Sequence, residues 1–306
     1  MTYFIIKGIT DVPEQQVPIF LLVLLIYLIT VGGNLTILLL ICLDGHLHTP
    51  MYFFLGNLSV VDLSSTIITL HKVLIIFIAG NNTVSYRACM IQMYMFASLT
   101  GHELLILTVM SYDRYVAICK PLRYYMIMNH RVCALLVMSC YLMGFVQVIS
   151  PIVIFSGFSC FISNEINHFF CDMIPLMEIT CSDTSVLEIV FLIDGLFIVT
   201  LIPFILTFIS YIFIIFTITR IHSDTGKQKA FYTCSSHLII VILLYVTLVS
   251  QYLTPTSNHT LNSKKLFSLF NTAAVPLLNP LIYSLKNKDV KSALKRRLGM
   301  IQMWSQ

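Results

Sequence analysis

The sequence has very little charge. Only 10% of its residues are Asp, Glu, Lys or Arg, whereas 58% are hydrophobic; soluble domains have about 25% charged and roughly 45–50% apolar residues. A soluble fold would have to expose much of this apolar surface, so the composition excludes a soluble enzyme and a disordered protein. The net charge of +4 is too small for a nucleic-acid-binding protein. No Gly-, Ser- or Pro-rich linker divides the chain, which predicts a single domain over residues 1–306.

The apolar residues are gathered in seven long runs. A helix needs about 20 mainly apolar residues to cross a bilayer. We predict spans one to seven at residues 18–43, 51–79, 88–118, 131–157, 187–220, 230–253 and 265–285. Because the runs are continuous rather than alternating, they favour helices over the strands of a barrel. The predicted fold class is an all-α membrane protein, a seven-transmembrane helix bundle.

Basic residues are distributed unequally between the two sides of this bundle. Of the 18 lysines and arginines, 13 lie in or beside the segments that follow spans three, five and seven. The other side carries Lys7, Arg87, Lys264 and Lys265, and Lys72 lies within span two. Cytoplasmic loops carry the excess of Lys and Arg, so we expect the N-terminus outside and the C-terminus in the cytoplasm.

A short amphipathic helix is predicted after the last span, at about residues 287–299. Val290, Ala293, Leu294, Arg297 and Leu298 follow the i, i+3, i+4, i+7, i+8 spacing of one helix face. Such a helix would lie along the inner leaflet, with its basic side chains toward anionic membrane lipids. A disordered basic tail is the alternative.

Four of the nine cysteines fall on the side predicted to be outside, where disulfides persist. They are Cys89, Cys160, Cys171 and Cys181. Four cysteines allow three pairings, and the sequence alone does not choose among them. Two bridges would hold the loop 158–186 as a compact lid. A zinc site is the alternative, although the spacing matches no zinc motif.

Asn-X-Ser/Thr triplets provide candidate glycosylation sites. Those at Asn81 and Asn258 lie in predicted outer loops and are expected to accept glycan. Those at Asn34 and Asn57 lie inside spans and are expected to be inert.

Four motifs at the ends of spans two, three, six and seven carry a family resemblance. They are LHTPMYFFL at residues 47–55, MSYDRYVAIC at 110–119, KAF and TCSSHL within 229–238, and PLLNPLIYSL at 276–285. Together they resemble the signatures of vertebrate olfactory (odorant) receptors, within the rhodopsin-like G-protein-coupled receptors. The resemblance implies a plasma-membrane receptor that binds a small volatile odorant and activates a stimulatory, olfactory-type heterotrimeric G protein, raising cyclic AMP. With the resemblance, we expect the disulfides Cys89–Cys171 and Cys160–Cys181.

The resemblance also implies a conformational switch at the cytoplasmic ends of the spans. Asp113 would hold Arg114 until activation frees it to reach the G protein and span six; an interfacial anchor is the alternative. Pro203, Pro276 and Pro280 would loosen spans five and seven, unless they serve packing alone. The expected switch residues are Asp113, Arg114, Tyr115, Tyr211, His237 and Tyr283.

Carboxylates inside the spans suggest a cation site. Charged side chains within a membrane are costly and usually functional, and hard cations prefer oxygen ligands. The resemblance implies a hydrated sodium ion held by Asn34, Asp62, Glu103 and Asn279. A protonated, hydrogen-bonded polar cluster without an ion is the alternative.

The resemblance places the odorant pocket in the outer half of the bundle, between spans three, five, six and seven. The expected lining is Phe96, Ala97, Thr100, Gly101, Asp194, Ile198, Val199, Tyr245, Val249, Tyr252 and Thr272. Phe96 stands where amine receptors carry an aspartate, which argues against a biogenic amine held in that way. Asp194 would accept a hydrogen bond from an alcohol or pair with a volatile amine, unless it faces a neighbouring helix.

Other functions have little support in the sequence. A retinal-binding pump needs a lysine in the last span, and residues 266–285 contain none. The sequence shows no inverted repeat of the kind that transporters usually have. It also shows no catalytic motif that would indicate an enzyme. His102, His237 and the pair His46 and His48 are expected to be hydrogen-bonded structural residues rather than metal ligands. Apart from the sodium ion, no cofactor is expected. A chemoreceptor for a non-odorant metabolite is the alternative function, because its pocket chemistry would be the same.

Overall fold

The computed structural model describes residues 2–10, 12–253, 265 and 267–304. Six helices in these ranges are long and apolar enough to cross a membrane. They are α1 (Pro13–Leu43), α2 (Pro50–Ala79), α3 (Tyr86–Cys119), α4 (His130–Ser156), α5 (Ser185–Thr219) and α6 (Asp224–Leu253). A shorter apolar helix, α7 (residues 267–286), completes a seven-helix bundle, and α8 (Lys288–Trp304) follows it. The predicted fold class is confirmed.

Several helices extend beyond the predicted spans. Helix α1 begins at Pro13, α6 begins at Asp224, and α8 continues to Trp304. The predicted limits followed the apolar runs, whereas backbone hydrogen bonding continues through adjoining polar residues. Pro13 suits a helix start because the first turn needs no intrahelical N–H bond there.

A small β-sheet, which the sequence did not predict, lies at the end of the bundle that carries the N-terminal segment; we call this end the N-terminal face. Strand β1 (Tyr3–Ile6) is its centre. It pairs antiparallel with β2 (Thr83–Ser85) and parallel with β3 (Glu165–Ile166). The sheet therefore joins the N-terminal segment to the α2–α3 loop and to the long loop 157–184.

Helix α3 contacts α2, α4 and α5 along its length. It lies close to α4 at Gly144, where an added Cβ would lie 2.9 Å from the carbonyl oxygen of Ser98 and 3.3 Å from the backbone nitrogen of His102. The absence of a side chain at Gly144 therefore brings the two helix backbones into contact. Beside it, the His102 ring stacks on the Tyr141 ring with centroids 3.9 Å apart.

Helices α5 and α7 each contain a segment of π-helix directly before a proline. The first segment is Leu192–Leu201, ahead of Pro203, and the second is Phe270–Ala274, ahead of Pro276. Proline donates no backbone hydrogen bond, and π-segments are frequent at functional sites. Both helices are thus irregular beside two of the three prolines that the sequence analysis singled out.

At the opposite end, which we call the C-terminal face, α8 is tied to the α1–α2 loop. Arg296 donates from Nε and Nη2 to Asp44 Oδ2 at 3.0 and 2.6 Å. Asp44 is buried, and the Arg296 guanidinium holds the pKa of its carboxyl well below the usual range. Val290 and Ala293 are also buried, as the predicted amphipathic pattern requires.

Candidate functional site

A cavity of about 670 Å³ lies beneath the long loop, in the half of the bundle near the N-terminal face. Small-molecule sites in proteins typically enclose roughly 300–1,000 Å³. Its walls come from α3, α4, α5 and α6, and its roof from residues 172–174, 177, 178 and 184 of the long loop. The predicted residues that line it are Phe96, Ala97, Thr100, Gly101, Asp194, Val199 and Val249.

Ile198, which was expected in the pocket, is instead exposed on the surface of the bundle. It lies in the π-helical segment of α5, where each residue turns the chain through a smaller angle than in an α-helix. Ile198 and Asp194 are four residues apart and would share a face of a regular helix. The π-hydrogen bonding rotates Ile198 away from the cavity while Asp194 faces it.

Two further expected lining residues lie outside the cavity wall. Tyr245 is buried, but its ring packs against Phe204 with centroids 5.1 Å apart. Thr272 is also buried, and its hydroxyl donates to the Ser268 carbonyl at 2.9 Å. The side chain of Tyr252 lies outside the described residues. Within those residues, the cavity therefore borders α4 rather than α7.

Helix α4 supplies a wall of the cavity, with one polar side chain, that the sequence analysis missed. Gln147 and Pro151 of this helix line the cavity. A Cβ at Gly101 would overlap the Gln147 amide, so the absence of a side chain at Gly101 makes room for it. Two glycines on facing helices, Gly101 and Gly144, are the feature of the sequence that could have indicated this close packing.

Asp194 faces both the cavity and α4. Its Oδ2 atom accepts a hydrogen bond of 2.6 Å from the Ser150 hydroxyl. Asp194 itself is half-buried and lines the cavity. The sequence analysis left open whether Asp194 faces the pocket or a neighbouring helix, and in the structure it does both.

The loop over the cavity is held from several directions. Disulfides join Cys89 to Cys171 and Cys160 to Cys181. Buried Lys265, near the start of α7, donates to Asn167 at 3.0 Å.

His168 is a buried residue of the same loop. Its ring stacks on that of Phe169, with centroids 4.5 Å apart. Burial, with Lys265 nearby, lowers the pKa of His168 to about 3, so this histidine is neutral at physiological pH. The loop that covers the cavity is thus cross-linked by two disulfides and contains an uncharged, buried histidine.

A second buried feature joins α3, α5 and α6 near the C-terminal face. His237 Nδ1 lies 2.7 Å from the Tyr211 hydroxyl, and its Nε2 lies 3.1 Å from the Leu107 carbonyl. A carbonyl only accepts hydrogen bonds, so Nε2 carries a proton, and in the neutral ring Nδ1 is an acceptor for the Tyr211 hydroxyl. The Tyr211 hydroxyl also lies 3.2 Å from the Cys234 carbonyl, a second acceptor on α6. We call His237, Tyr211 and Leu107 the His237 junction. It fastens α6 to its two neighbours in this conformation.

The expected pairing of Asp113 with Arg114 is not formed. Asp113 is buried and accepts a hydrogen bond of 2.8 Å from Tyr124. Within the described ranges, no carboxylate oxygen lies within 4.0 Å of a nitrogen of Arg114. Neighbouring helix residues point in different directions, which is why the two side chains separate. Burial, together with the Asp113 charge, raises the pKa of Tyr124, which stays a hydrogen-bond donor.

Tyr115 and Tyr283 complete the expected switch residues. Tyr115 packs against Phe213, with ring centroids 5.9 Å apart. The side chain of Tyr283 lies outside the described residues.

The four residues expected at a sodium site are all buried. Asn279 Nδ2 donates to Asp62 Oδ2 at 2.9 Å and lies 3.5 Å from Glu103 Oε1. Asn34 instead donates to the Thr30 and Pro276 carbonyls. Among the described residues, one oxygen on each of three side chains has no hydrogen-bond partner: Asn34 Oδ1, Asp62 Oδ1 and Asn279 Oδ1. These oxygens are chemically suited to a hard cation.

The remaining candidates are spread over the surface and the loops. Asn81 is exposed at the N-terminal face, whereas Asn258 lies outside the described residues. His46 and His48 bond to Asp44 and to the Ile41 carbonyl at 2.9 and 3.0 Å. Among the residues that the structure describes, no group of three or more His, Cys, Asp or Glu could hold a metal ion.

A bundle of seven apolar helices, with a cavity of small-molecule size near one face and a buried junction of three helices near the other, defines a seven-helix membrane protein. Comparison with known proteins gives its family. The olfactory receptor family profile matches residues 23–300, and the chain belongs to that family.

Its similarity to individual olfactory receptors extends over nearly the whole chain. It is 50% identical to human olfactory receptor 8K1 over 300 residues, covering 97% of this chain and 93% of that protein. It is 44% identical to human olfactory receptor 8D1 over 296 residues, covering 96% of each chain. It is 47% identical to mouse olfactory receptor 8C8 over 294 residues, covering 96% of this chain and 93% of that protein.

Proposed function

We propose that this protein is an odorant receptor that binds a small volatile molecule in the cavity and activates a stimulatory, olfactory-type G protein. The observation that carries the proposal is the cavity of about 670 Å³ in a chain of the olfactory receptor family. The proposal includes a plasma-membrane location, with the N-terminal face outside and the C-terminal face in the cytoplasm. The excess of Lys and Arg at the C-terminal face supports that orientation.

The proposed mechanism links the cavity to the His237 junction through α5 and α6. Both helices line the cavity, and both contribute to the junction. A ligand shifts a conformational equilibrium only by its differential affinity for the two states. A ligand that favours a different packing of α5 and α6 would weaken the junction and let α6 swing outward. The G protein would then bind the exposed C-terminal face.

Cyclic AMP measurements in cells that co-express the olfactory G protein test this proposal. The panel contains volatile alcohols, acids, esters, ketones and amines, applied to wild type, Arg114→Ala and the control Arg123→Ala. Arg123 is an exposed basic residue of the α3–α4 loop. We expect a dose-dependent response that Arg114→Ala abolishes and Arg123→Ala preserves. Equal responses of the two variants, at equal surface expression, would contradict the role given to Arg114.

We also propose that Asp62 and Asn279 hold a sodium ion in the resting receptor, with Glu103 nearby. Their unpartnered oxygens and complete burial support this. When bound, the ion would supply positive charge between the two carboxylates. Thermal unfolding of the purified receptor in sodium chloride and in choline chloride is the test. We expect sodium to stabilise wild type but not Asp62→Asn; equal unfolding temperatures in the two salts would leave the protonated cluster as the explanation.

A further inference from the structure

The ionisable groups of the cavity all have the same sign. Those among its described lining residues are carboxylates: Asp172, Glu178, Glu188 and Asp194. No lysine, arginine or histidine occurs among these described lining residues. Among the described lining residues, an anionic ligand such as a volatile carboxylate would therefore find no basic side chain to pair with.

Asp194 lies in the apolar π-helical segment of α5, whereas Glu188 lies in the first turn of that helix and Asp172 and Glu178 belong to the long loop. Its close polar contact is the Ser150 hydroxyl at 2.6 Å. In the part of the chain that the structure describes, no Lys, Arg or His nitrogen lies within 4.0 Å of it. Carboxylates at membrane depth usually face a cavity and pair with a cation. No cationic partner is present among the described residues, and a ligand that carries a cation would supply one.

The rest of the cavity limits the ligand to a small apolar body. Phe96, Leu104, Val199 and Leu248 contribute apolar wall around the polar position. Gln147 adds one neutral amide on the α4 side. A single charged group beside a mostly apolar wall matches a molecule with one polar head and a hydrocarbon remainder.

We propose that the cavity selects a small apolar amine whose ammonium group binds Asp194. The inference rests on the proposed odorant-receptor function for the use of this cavity, and it adds the ligand class. A primary alkylamine, like the lysine side chain, is protonated at neutral pH. Its ammonium donates to the carboxylate beside Ser150, and its hydrocarbon packs against the apolar wall. The matching alcohol has the same shape but no charge and binds more weakly.

The test measures binding without a G protein. Purified receptor is heated with cyclohexylamine, hexylamine or octylamine, and with the alcohol that matches each. The variants are Asp194→Asn, which keeps the shape and removes the charge, and Asp183→Asn as the control. Asp183 is an exposed carboxylate outside the cavity lining, bonded to Ser185.

We expect at least one amine to raise the unfolding temperature of wild type and of Asp183→Asn at lower concentration than its alcohol does. Asp194→Asn should lower the apparent affinity for that amine by about 10- to 100-fold, the range for a hydrogen bond to a charged group. It should change the affinity for the alcohol by less than about threefold.

Three outcomes would overturn the amine assignment: alcohols that bind as tightly as amines, amine binding that survives Asp194→Asn, or no amine binding. Cyclic AMP is then measured with the same compounds. Amine binding without a cyclic AMP response would leave the ligand class standing and contradict the proposed coupling. A response to alcohols or esters alone would leave the receptor function standing and remove the amine.

Discussion

Replacing Gly144 with alanine tests the contact that sets the spacing of α3 and α4. The added Cβ would lie 2.9 Å from the Ser98 carbonyl oxygen, whereas ordinary carbon–oxygen contacts are about 3.3–3.6 Å. Because the obstacle is backbone, α4 has to move outward by about 0.4 Å or more. Overpacking costs about 1–3 kcal/mol, while alanine returns roughly 0.5–1 kcal/mol of helix propensity. We expect a net loss of about 1–2 kcal/mol for Gly144→Ala and a larger loss for Gly144→Val.

Gly32 provides a matched control. It is an exposed helical glycine of α1, and a Cβ there would meet nothing within 4 Å. Gly32→Ala should therefore gain helix propensity without any clash. Thermal unfolding in detergent and surface expression in cells are measured for each variant. If Gly144→Ala unfolds at the same temperature as Gly32→Ala, the reasoning about the backbone contact is refuted.

Three further predictions concern the junction, the tie of α8 and the cavity wall. His237→Phe removes two hydrogen bonds worth about 2 kcal/mol together, so basal cyclic AMP should rise several-fold at equal surface expression; an unchanged basal level would contradict the junction's role. Asp44→Asn should lower the unfolding temperature by weakening the bond to Arg296. Since the pKa of Asp44 is depressed in the folded protein, its carboxylate stabilises the fold at neutral pH, and this stabilisation is lost only as pH falls below about 4. If the difference in unfolding temperature between wild type and Asp44→Asn changes between about pH 5 and 8, this assignment is contradicted. Gly101→Ala should push Gln147 into the cavity and weaken any agonist found in the cyclic AMP screen by about tenfold, or about 1.4 kcal/mol; adding Gln147→Ala should restore potency, and a failure to do so would show that the clash lies elsewhere.

The helices could be predicted because each one is encoded locally. An apolar run long enough to cross a membrane leaves its backbone little alternative to a helix. The β-sheet could not be predicted in the same way. Its strands have two to four residues, and their pairing depends on segments far apart in the chain.

Only some of the residues that line the cavity could be predicted, because the direction of each side chain depends on how regularly its helix turns. Residues on regular α3, such as Phe96 and Gly101, fall where helical spacing places them. On α5, the π-segment changes the rotation between successive residues, so Ile198 turns outward. Gln147 was missed because its access to the cavity depends on a glycine in a different helix. Residue types alone do not determine the boundary of the cavity, because it depends on backbone irregularity and on contacts between helices.

The central position of β1 in its sheet has a consequence for the order of events during synthesis. Ile6 pairs with Ile166, so β1 is made 160 residues before β3. At about 5–20 residues per second, the first strand waits roughly 10–30 s for that partner. During this time α1 to α4 are synthesised, since all four lie between the two strands in the chain. The N-terminal face is therefore assembled late, and a defect in β1 should stall maturation of a chain whose first helices have already entered the membrane.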